Sequence, residues 1–503
     1  MGRSRPRRIL FRVDASESIG TGHVVRCLAL SLELARRGIE PWFASRGVAA
    51  PADQIDASGH PVVHLEGPAS AELAVISDHV PRNIRRRPFA ALVMDHYGLG
   101  AEWLNEARQL ATRRLVIDDL ADRSLPCELL VNPNPGVASG DYASLVAPAT
   151  RLLLGVRFVL LRPPFRTTRA AGRRPVGAVR NVLVTMGGSD LSDATTTAVK
   201  AVRSALPSVR IDVVLGALYA DELVRGPGIH VHRAIGGEAM AQLMMDADIA
   251  IGAGGTTSWE RCALGLPTII LRLARNQDAI ARQLDAAGAA VDAGAVELLD
   301  VAPLSDLIRQ LANDRSRRQA MSDRAWDLVD GRGVERIAHH LDGVRVRRAT
   351  MADARLLWAW ANDPDIRSAS FNPEPISYPD HVGWLRQRLA DRSCLLLIGG
   401  NGAGPLGQVR FDRREADAEV SISVAPEHRG TVGGLLLESA VRRFRRWLPQ
   451  ANLVAQVKID NGPSRRLFER AGFRLVGDRR GVLLYQAAAL ADATPTLEQV
   501  AGK

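Results

Sequence analysis

An imidazole stands directly after a glycine turn near the start of the chain, in Gly20-Thr21-Gly22-His23. An apolar run, Ile9–Val13, precedes it and ends at Asp14. Glycines there let backbone approach a ligand closely, and free N–H groups at the start of the next helix favour anions. A histidine so placed can take a proton from water near neutral pH. The competing reading is an exposed histidine capping a loop. A second turn, Gly252-Ala253-Gly254-Gly255-Thr256-Thr257-Ser258-Trp259-Glu260, is suited to a pyrophosphate. Its backbone N–H groups and threonine hydroxyls can grip phosphate oxygens, and Glu260, one helical turn in, can accept from ribose hydroxyls. The same residues also read as a capped helix start, with Thr256 as N-cap and Glu260 in the first turn. Met186-Gly187-Gly188-Ser189-Asp190 offers either a phosphate or sugar contact or a plain strand-to-helix turn. Asn276 and Gln277 are neutral amides suited to hydroxyl and acetamido groups, or ordinary loop polarity. A third turn, Arg429-Gly430-Thr431-Val432-Gly433-Gly434, follows a run ending at Val424 and suits the pyrophosphate of coenzyme A. Asn461-Gly462-Pro463-Ser464 opens a later helical stretch.

These turns need strands to deliver them and helices to receive them. Short apolar runs at Ile9–Val13, Pro41–Ala44, Pro61–Leu65, Ala90–Met94 and Leu115–Ile117 alternate with helical patterns such as Val24–Arg37, which Gly38 ends. Strands alternating with helices imply right-handed βαβ units and a parallel sheet. Leu161–Arg180 has Pro, Gly and Arg without periodicity and reads as a hinge. Alternation resumes with strands at Asn181–Thr185, Ile211–Leu215, Ile229–His232, Ile249–Ile251 and Pro267–Leu271. Helices are expected at Ser192–Ala205, Glu238–Asp246, Thr256–Leu264, Val301–Asn313 and Arg315–Val329. The expected fold is α/β: Rossmann-like lobes at 8–162 and 178–342 in the two-lobed GT-B arrangement, then an α+β domain at 344–486 and a tail at 487–503. In open parallel sheets, ligands bind beyond the carboxyl ends of the strands.

The ordered set Arg12-Val13-Asp14, Gly20-Thr21-Gly22-His23-Val24-Val25-Arg26-Cys27-Leu28, Asp95-His96-Tyr97-Gly98, Ile117-Asp118-Asp119, Asn132-Pro133, Met186–Asp190, Gly254–Glu260 and Asn276-Gln277 resembles a nucleotide-sugar hydrolase family of the pseudaminic acid pathway. That family acts on UDP-2,4-diacetamido-2,4,6-trideoxy-β-L-altropyranose, and the resemblance spans roughly residues 8–340. It implies that His23 is the catalytic base, that Tyr97 lines the same site and that UDP sits on the second lobe. Asp14 would join Tyr97 in holding water or sugar. The motifs at Val424–Gly434 and Asn461–Phe473 together resemble the GNAT acetyltransferase superfamily, over roughly 344–486, with acetyl-CoA as cosubstrate. Asp353, Trp360-Ala361-Asn362-Asp363 and His381-Val382-Gly383-Trp384-Leu385 resemble the amino-sugar N-acetyltransferase of the same pathway. Two positions depart from that pattern. Val432 replaces the middle glycine of the loop, and Phe468 stands where many members have an acidic tyrosine. Glu419 and His381 are candidates for the acetyl-transfer base, with core packing or a supporting polar contact equally open for each.

Bulk properties restrict the alternatives. The net charge of +10 comes almost entirely from arginine, with lysine only at 200, 458 and 503 and with 55 acidic residues spread throughout. No aromatic-basic groove accompanies that charge, so a nucleic-acid partner is not expected. No run of roughly 18 apolar residues appears, so no membrane span is expected. Cys27, Cys127, Cys262 and Cys394 are scattered and read as reduced thiols of a cytoplasmic protein. No acid–histidine cluster has metal-ligand spacing, and Asp118-Asp119 reads at least as well as a strand-end acid pair. The expected ligands are a UDP-amino sugar and acetyl-CoA, without a metal. A GT-B glycosyltransferase, or a UDP-sugar-binding module with a protein-acetylating domain, are the alternatives.

Overall fold

The computed structural model describes residues 7–14, 22–46, 50–80, 89–187, 193–216, 226–233 and 235–488. Gly20, Gly188 and Ser189 lie outside the described residues, as do the side chain of Asn276 and the segment 489–503. The chain packs as two compact units, residues 1–337 and 338–503.

The first unit holds two parallel sheets. One is built from β1 (Arg8–Val13), β2 (Glu40–Ser45), β3 (Val62–His64), β4 (Ala91–Asp95), β5 (Arg114–Ile117), β6 (Leu129–Asn132) and β7 (Arg151–Leu154). Their spatial order is β3-β2-β1-β4-β5-β6-β7. The other is built from β8 (Asn181–Thr185), β9 (Arg210–Leu215), β10 (Ile229–Arg233), β11 (Ile249–Ala253), β12 (Thr268–Arg272) and β13 (Val291–Ala295), in the order β10-β9-β8-β11-β12-β13. Strands such as Ala91–Asp95 and Ile249–Ala253 are buried at every residue, as strands covered on both faces must be. Chain order reverses at β1/β4 and again at β8/β11. Each reversal leaves a crevice at the carboxyl ends of the strands. Asp14, Asp95–Tyr97, Gly187 and Gly254 all follow strands at these two places.

In the first unit three strands go beyond the expected set. β6 and β7 have four residues each, and proline-rich sequence encloses β6, while β13 is Val-Asp-Ala-Gly-Ala, with little apolar bulk to mark it. The expected irregular hinge is also corrected. Pro163–Ala170 is a helix, because prolines tolerated in a first turn start it and the fully buried Phe165 anchors it.

The second unit carries one mixed sheet. Its strands are β14 (Arg345–Arg348), β15 (Cys394–Asn401), β16 (Gly404–Arg414), β17 (Asp417–Val424), β18 (Asn452–Lys458), β19 (Arg474–Arg479) and β20 (Val482–Ala487). The order is β14-β15-β16-β17-β18-β20-β19. β17 and β18 are its one parallel pair, and they pair only over Asp417–Glu419 with Asn452–Val454. Beyond that the two strands part, leaving an opening beside Val424. β20 runs one residue past the expected boundary at 486.

Candidate functional site

The helix Gly22–Arg36 forms because Val24, Cys27, Leu30 and Leu34 recur at helical spacing and bury one face. Each fully buried leucine of that stripe contributes about 1.5–3 kcal/mol. Gly38, at φ 74°, ends the helix, with Ile39 N donating to Leu34 O at 3.1 Å. The stripe fixes the rotation of the helix, and that rotation puts His23 and Arg26, three residues apart, on one side.

Both side chains meet Asp95 at the end of β4. His23 Nδ1 lies 2.5 Å from Asp95 Oδ1. Arg26 donates from Nε to Asp95 Oδ2 at 2.5 Å and from Nη2 to Oδ1 at 2.7 Å. Arg26 Nη1 reaches Asp119 Oδ2 at 2.9 Å, and Tyr97 donates to the same oxygen at 3.1 Å. The Tyr97 ring meets the His23 ring edge-on at 4.6 Å between centroids. Burial pushes the Asp95 carboxyl up, but the Arg26 guanidinium and the His23 ring overcome it and hold Asp95 below the usual carboxylate range. An ionised Asp95 can only accept, so the proton of a neutral His23 sits on Nδ1. The lone pair is then on Nε2, which has no hydrogen-bond partner among the described residues.

Asp14 is placed differently. Arg12 grips both of its oxygens, Arg46 N donates to it at 2.7 Å and His96 Nε2 lies 3.0 Å away. Arg12 also binds Glu72, which Arg46 and Trp103 share. Burial raises the Asp14 carboxyl, and the His96 and Arg12 hydrogen bonds bring it well below its ordinary value. The structure therefore gives Asp14 a bracing position in this ionic network. Asp118 turns inward, accepting from Tyr142 at 2.7 Å and Arg123 at 3.2 Å, and Asn132 donates to the same tyrosine hydroxyl.

The opposite lobe comes close to the histidine. A Cβ on Gly22 would lie 3.5 Å from both Oγ1 and Cγ2 of Thr256. The turn after β11 thus faces the first turn of the His23 helix. Gln277 Oε1 braces that turn by accepting from Gly254 N and Leu273 N, each at 3.0 Å. Gly254 is closely packed, since a Cβ there would stand 3.1 Å from Gln277 Cβ. Gly255 has open space, Thr256 is exposed and Thr257 half-buried. Thr256 holds the N-cap position without a side-chain capping bond, which leaves its hydroxyl available. Glu260 is buried and accepts from Arg162 through both oxygens, at 2.7 and 2.9 Å. Gly187, at φ 94°, turns the chain away from β8.

Asp95, Arg26, Asp119 and Arg162 escaped functional assignment from residue type and spacing. The reason is distance along the chain: the pairs His23–Asp95, Arg26–Asp119 and Arg162–Glu260 are 72, 93 and 98 positions apart. The usable signal was the carboxylate closing β4, directly before His96 and Tyr97.

In the second unit, Val424 ends β17 and Gly433 and Gly434 open the helix Gly433–Arg445. A Cβ on Gly434 would meet nothing within 4 Å. Gly430 takes φ 75°, whereas Val432 takes φ −118° and is fully buried, so its backbone does not need a glycine. Arg429 is held by Asp363 and Asp365. Asn461 accepts from Ser464 N at 3.1 Å and caps the helix Gly462–Arg470. Phe468 is buried against Phe473 and Tyr485. His381 is buried beside Trp384, its Nε2 without a hydrogen-bond partner, and burial pushes its pKa down. Among the described residues no group of acids, histidines or cysteines is arranged to hold a metal ion. No helix of the described residues is long and apolar enough to cross a membrane.

Comparison with known proteins agrees with this division. Residues 182–341 match the model of the glycosyltransferase family 28 C-terminal domain, and residues 344–474 that of the acetyltransferase (GNAT) domain. The chain is 22% identical to an uncharacterized protein of Methanocaldococcus jannaschii, across 93% of this chain and 96% of that one. It is 25% identical to the spore coat polysaccharide biosynthesis protein SpsG of Bacillus subtilis, across 64% of this chain and 94% of that one. The UDP-2,4-diacetamido-2,4,6-trideoxy-beta-L-altropyranose hydrolase of Campylobacter jejuni is a further relative, 25% identical over 186 residues, which cover 37% of this chain and 62% of that enzyme. Among solved structures, MurG of Acinetobacter baumannii aligns with 67% of this chain and 99% of its own at 17% identity and a TM-score of 0.45. The chain joins a GT-B-like module with a glycosyltransferase family 28 C-terminal domain to an acetyltransferase domain of the GNAT family.

Proposed function

We propose that the first unit hydrolyses a UDP-activated diacetamido-trideoxyhexose and that the second N-acetylates the corresponding UDP-4-amino sugar from acetyl-CoA, as consecutive steps of pseudaminic acid biosynthesis in the cytoplasm. The observation that carries the hydrolytic reading is the Asp95–His23 pair, with Nε2 unpartnered, on the turn that faces Thr256. Water held near Nε2 attacks the anomeric carbon as His23 takes its proton. The new C–O bond forms as the bond to the diphosphate oxygen breaks, so the configuration inverts and UDP leaves. Asp95 keeps the ring in the required tautomer and stabilises the imidazolium that forms. Tyr97 borders the water and sugar. The turn Gly254–Thr257, with Gly187, holds the departing diphosphate, and Glu260 accepts from the ribose.

In the second unit, the amine attacks the thioester carbonyl and the thiolate of coenzyme A leaves. The opening between β17 and β18 exposes strand backbone able to pair with the amide-bearing arm of the cosubstrate. Gly430, Gly433, Gly434 and Arg429 receive its pyrophosphate, and Asn461 and Ser464 flank it. Phe468 has no proton to give, so water or another residue protonates the thiolate, while a base or water chain takes the proton the amine loses.

The test combines purified protein with the UDP-4-amino sugar, with and without acetyl-CoA, and reads products by mass spectrometry and proton NMR. Free sugar and UDP are expected without any sugar acceptor, and acetylation only with acetyl-CoA. His23→Ala should keep UDP binding and lose release of free sugar. Turnover retained in that variant rejects His23 as the base.

A further inference from the structure

Four arginine side chains are almost completely enclosed by protein: Arg12, Arg114, Arg261 and Arg318. Two are paired with carboxylates, and the third has both terminal nitrogens on carbonyls with only Nε unpartnered among the described residues. Arg12 meets Asp14 and Glu72, Arg114 meets Glu128, and Arg318 donates to the carbonyls of Leu311, Ala312 and Gly177. Arg261, 1% exposed, is the exception. Its Nη2 donates to Ala253 O at 2.7 Å and Ser258 Oγ at 2.9 Å, while Nε and Nη1 have no hydrogen-bond partner among the described residues. Among the described residues no carboxylate lies within ion-pair distance of it, and Glu260 acts on it only through space. The neighbouring Glu260 gives both oxygens to Arg162.

The place of this charge is specific. A Cβ on Gly252 would stand 2.5 Å from Arg261 Nη1 and 2.6 Å from Thr185 O. Glycine at 252 is therefore what admits the guanidinium between the ends of β8 and β11, where the second sheet reverses its order. Burial pushes the guanidinium pKa down to about 10, so at neutral pH the group is charged at a cost to stability. An uncompensated buried charge is expensive in a protein that gains nothing from it.

We propose that Arg261 is the fixed positive charge of the nucleotide site, and that the diphosphate of a bound nucleoside diphosphate supplies the counter-charge the protein withholds. The inference rests on the reading of Gly254–Glu260 as the nucleotide turn. Arg261 is a positioning residue in this account. It holds the Ala253 carbonyl inward at the start of the turn, and its field crosses a low-dielectric layer where salt screens little.

The experiment titrates UDP and uridine into full-length wild type, Arg261→Gln and Arg261→Lys, with melting temperatures of the ligand-free proteins recorded alongside. Glutamine keeps a donor and removes the charge, while lysine keeps the charge and loses the fork. The expected result is that Arg261→Gln weakens UDP by about 10-fold or more, the loss of one weakly screened charge near the diphosphate. Uridine affinity and melting temperature should not fall. Arg261→Lys should keep the preference for UDP over uridine. Equal UDP affinity in wild type and Arg261→Gln overturns the proposal, as does a parallel loss of UDP and uridine with a lower melting temperature. Should Arg261→Gln fail to fold, loss of the UDP preference in Arg261→Lys overturns it and retention supports it. Wild type that binds neither ligand removes the nucleotide reading itself, a result distinct from a variant that matches a UDP-binding wild type.

Discussion

The His23 centre and the loop proposed for acetyl-CoA are both glycine-rich turns that join a strand to a helix, yet they are arranged in different ways. Around His23 every contact keeps one nitrogen of the imidazole available. Asp95 takes Nδ1, Arg26 holds Asp95, Asp119 holds Arg26, and Tyr97 borders the ring. The site is organised before substrate arrives, which is how fixed dipoles and charges lower a barrier without reorganisation. At the acetyl-CoA loop the principal cation is already taken. Arg429 is bound to Asp363 and Asp365, so a pyrophosphate must compete for it. The first region keeps a nitrogen available without rearrangement, whereas the cation of the second is already paired.

The sharpest way to break this contrast is Asp95→Asn. The amide can present a donor to Nδ1 and disturb the tautomer, so kcat for sugar release should fall about 10³-fold with little change in KM. Equal losses in binding would mean Asp95 only supports the fold. The acid limb of stability is next. Asp14 and Asp95 are both held below the ordinary carboxylate range. Their contribution is complete above the unfolded-state pKa, about 4, and is lost as pH falls through the lower folded values. Denaturant midpoints should therefore drop below about pH 4, and less steeply in Asp95→Asn. A smaller effect is expected from Asp363→Asn with Asp365→Asn. Freeing Arg429 should tighten acetyl-CoA binding several-fold, about 1 kcal/mol, by calorimetry. Weaker binding would show that the acids align Arg429 for the ligand. The smallest is Val432→Gly, which removes a buried side chain and should cost about 1–2 kcal/mol in unfolding with acetyl-CoA affinity nearly unchanged, because φ −118° already suits an ordinary residue.

The strands were legible where apolar residues dominate a short run, as in Ile9–Val13 and Ala91–Met94. They were not where four residues sit among prolines, as in β6, or where Gly and Ala replace bulk, as in β13. The helix Pro163–Ala170 was hidden because prolines that usually break helices here begin one. Residue type drew attention to His23, Thr256 and Glu260. It carried no information about the arginines and carboxylates that hold them, because those pairings are made by the sheets and not by local sequence. Arg261 was invisible for the opposite reason: its significance is that no acid answers it.

The bidentate grip of Arg162 on Glu260 has a mechanical consequence. Arg162 immediately precedes the helix Pro163–Ala170 in the connection between the two sheets, and Glu260 is the acid assigned to the ribose. A sugar hydroxyl that claims one of those oxygens loosens the crossover at its anchor. Under the proposed function, the ribose and the anchor of this crossover share one carboxylate, Glu260.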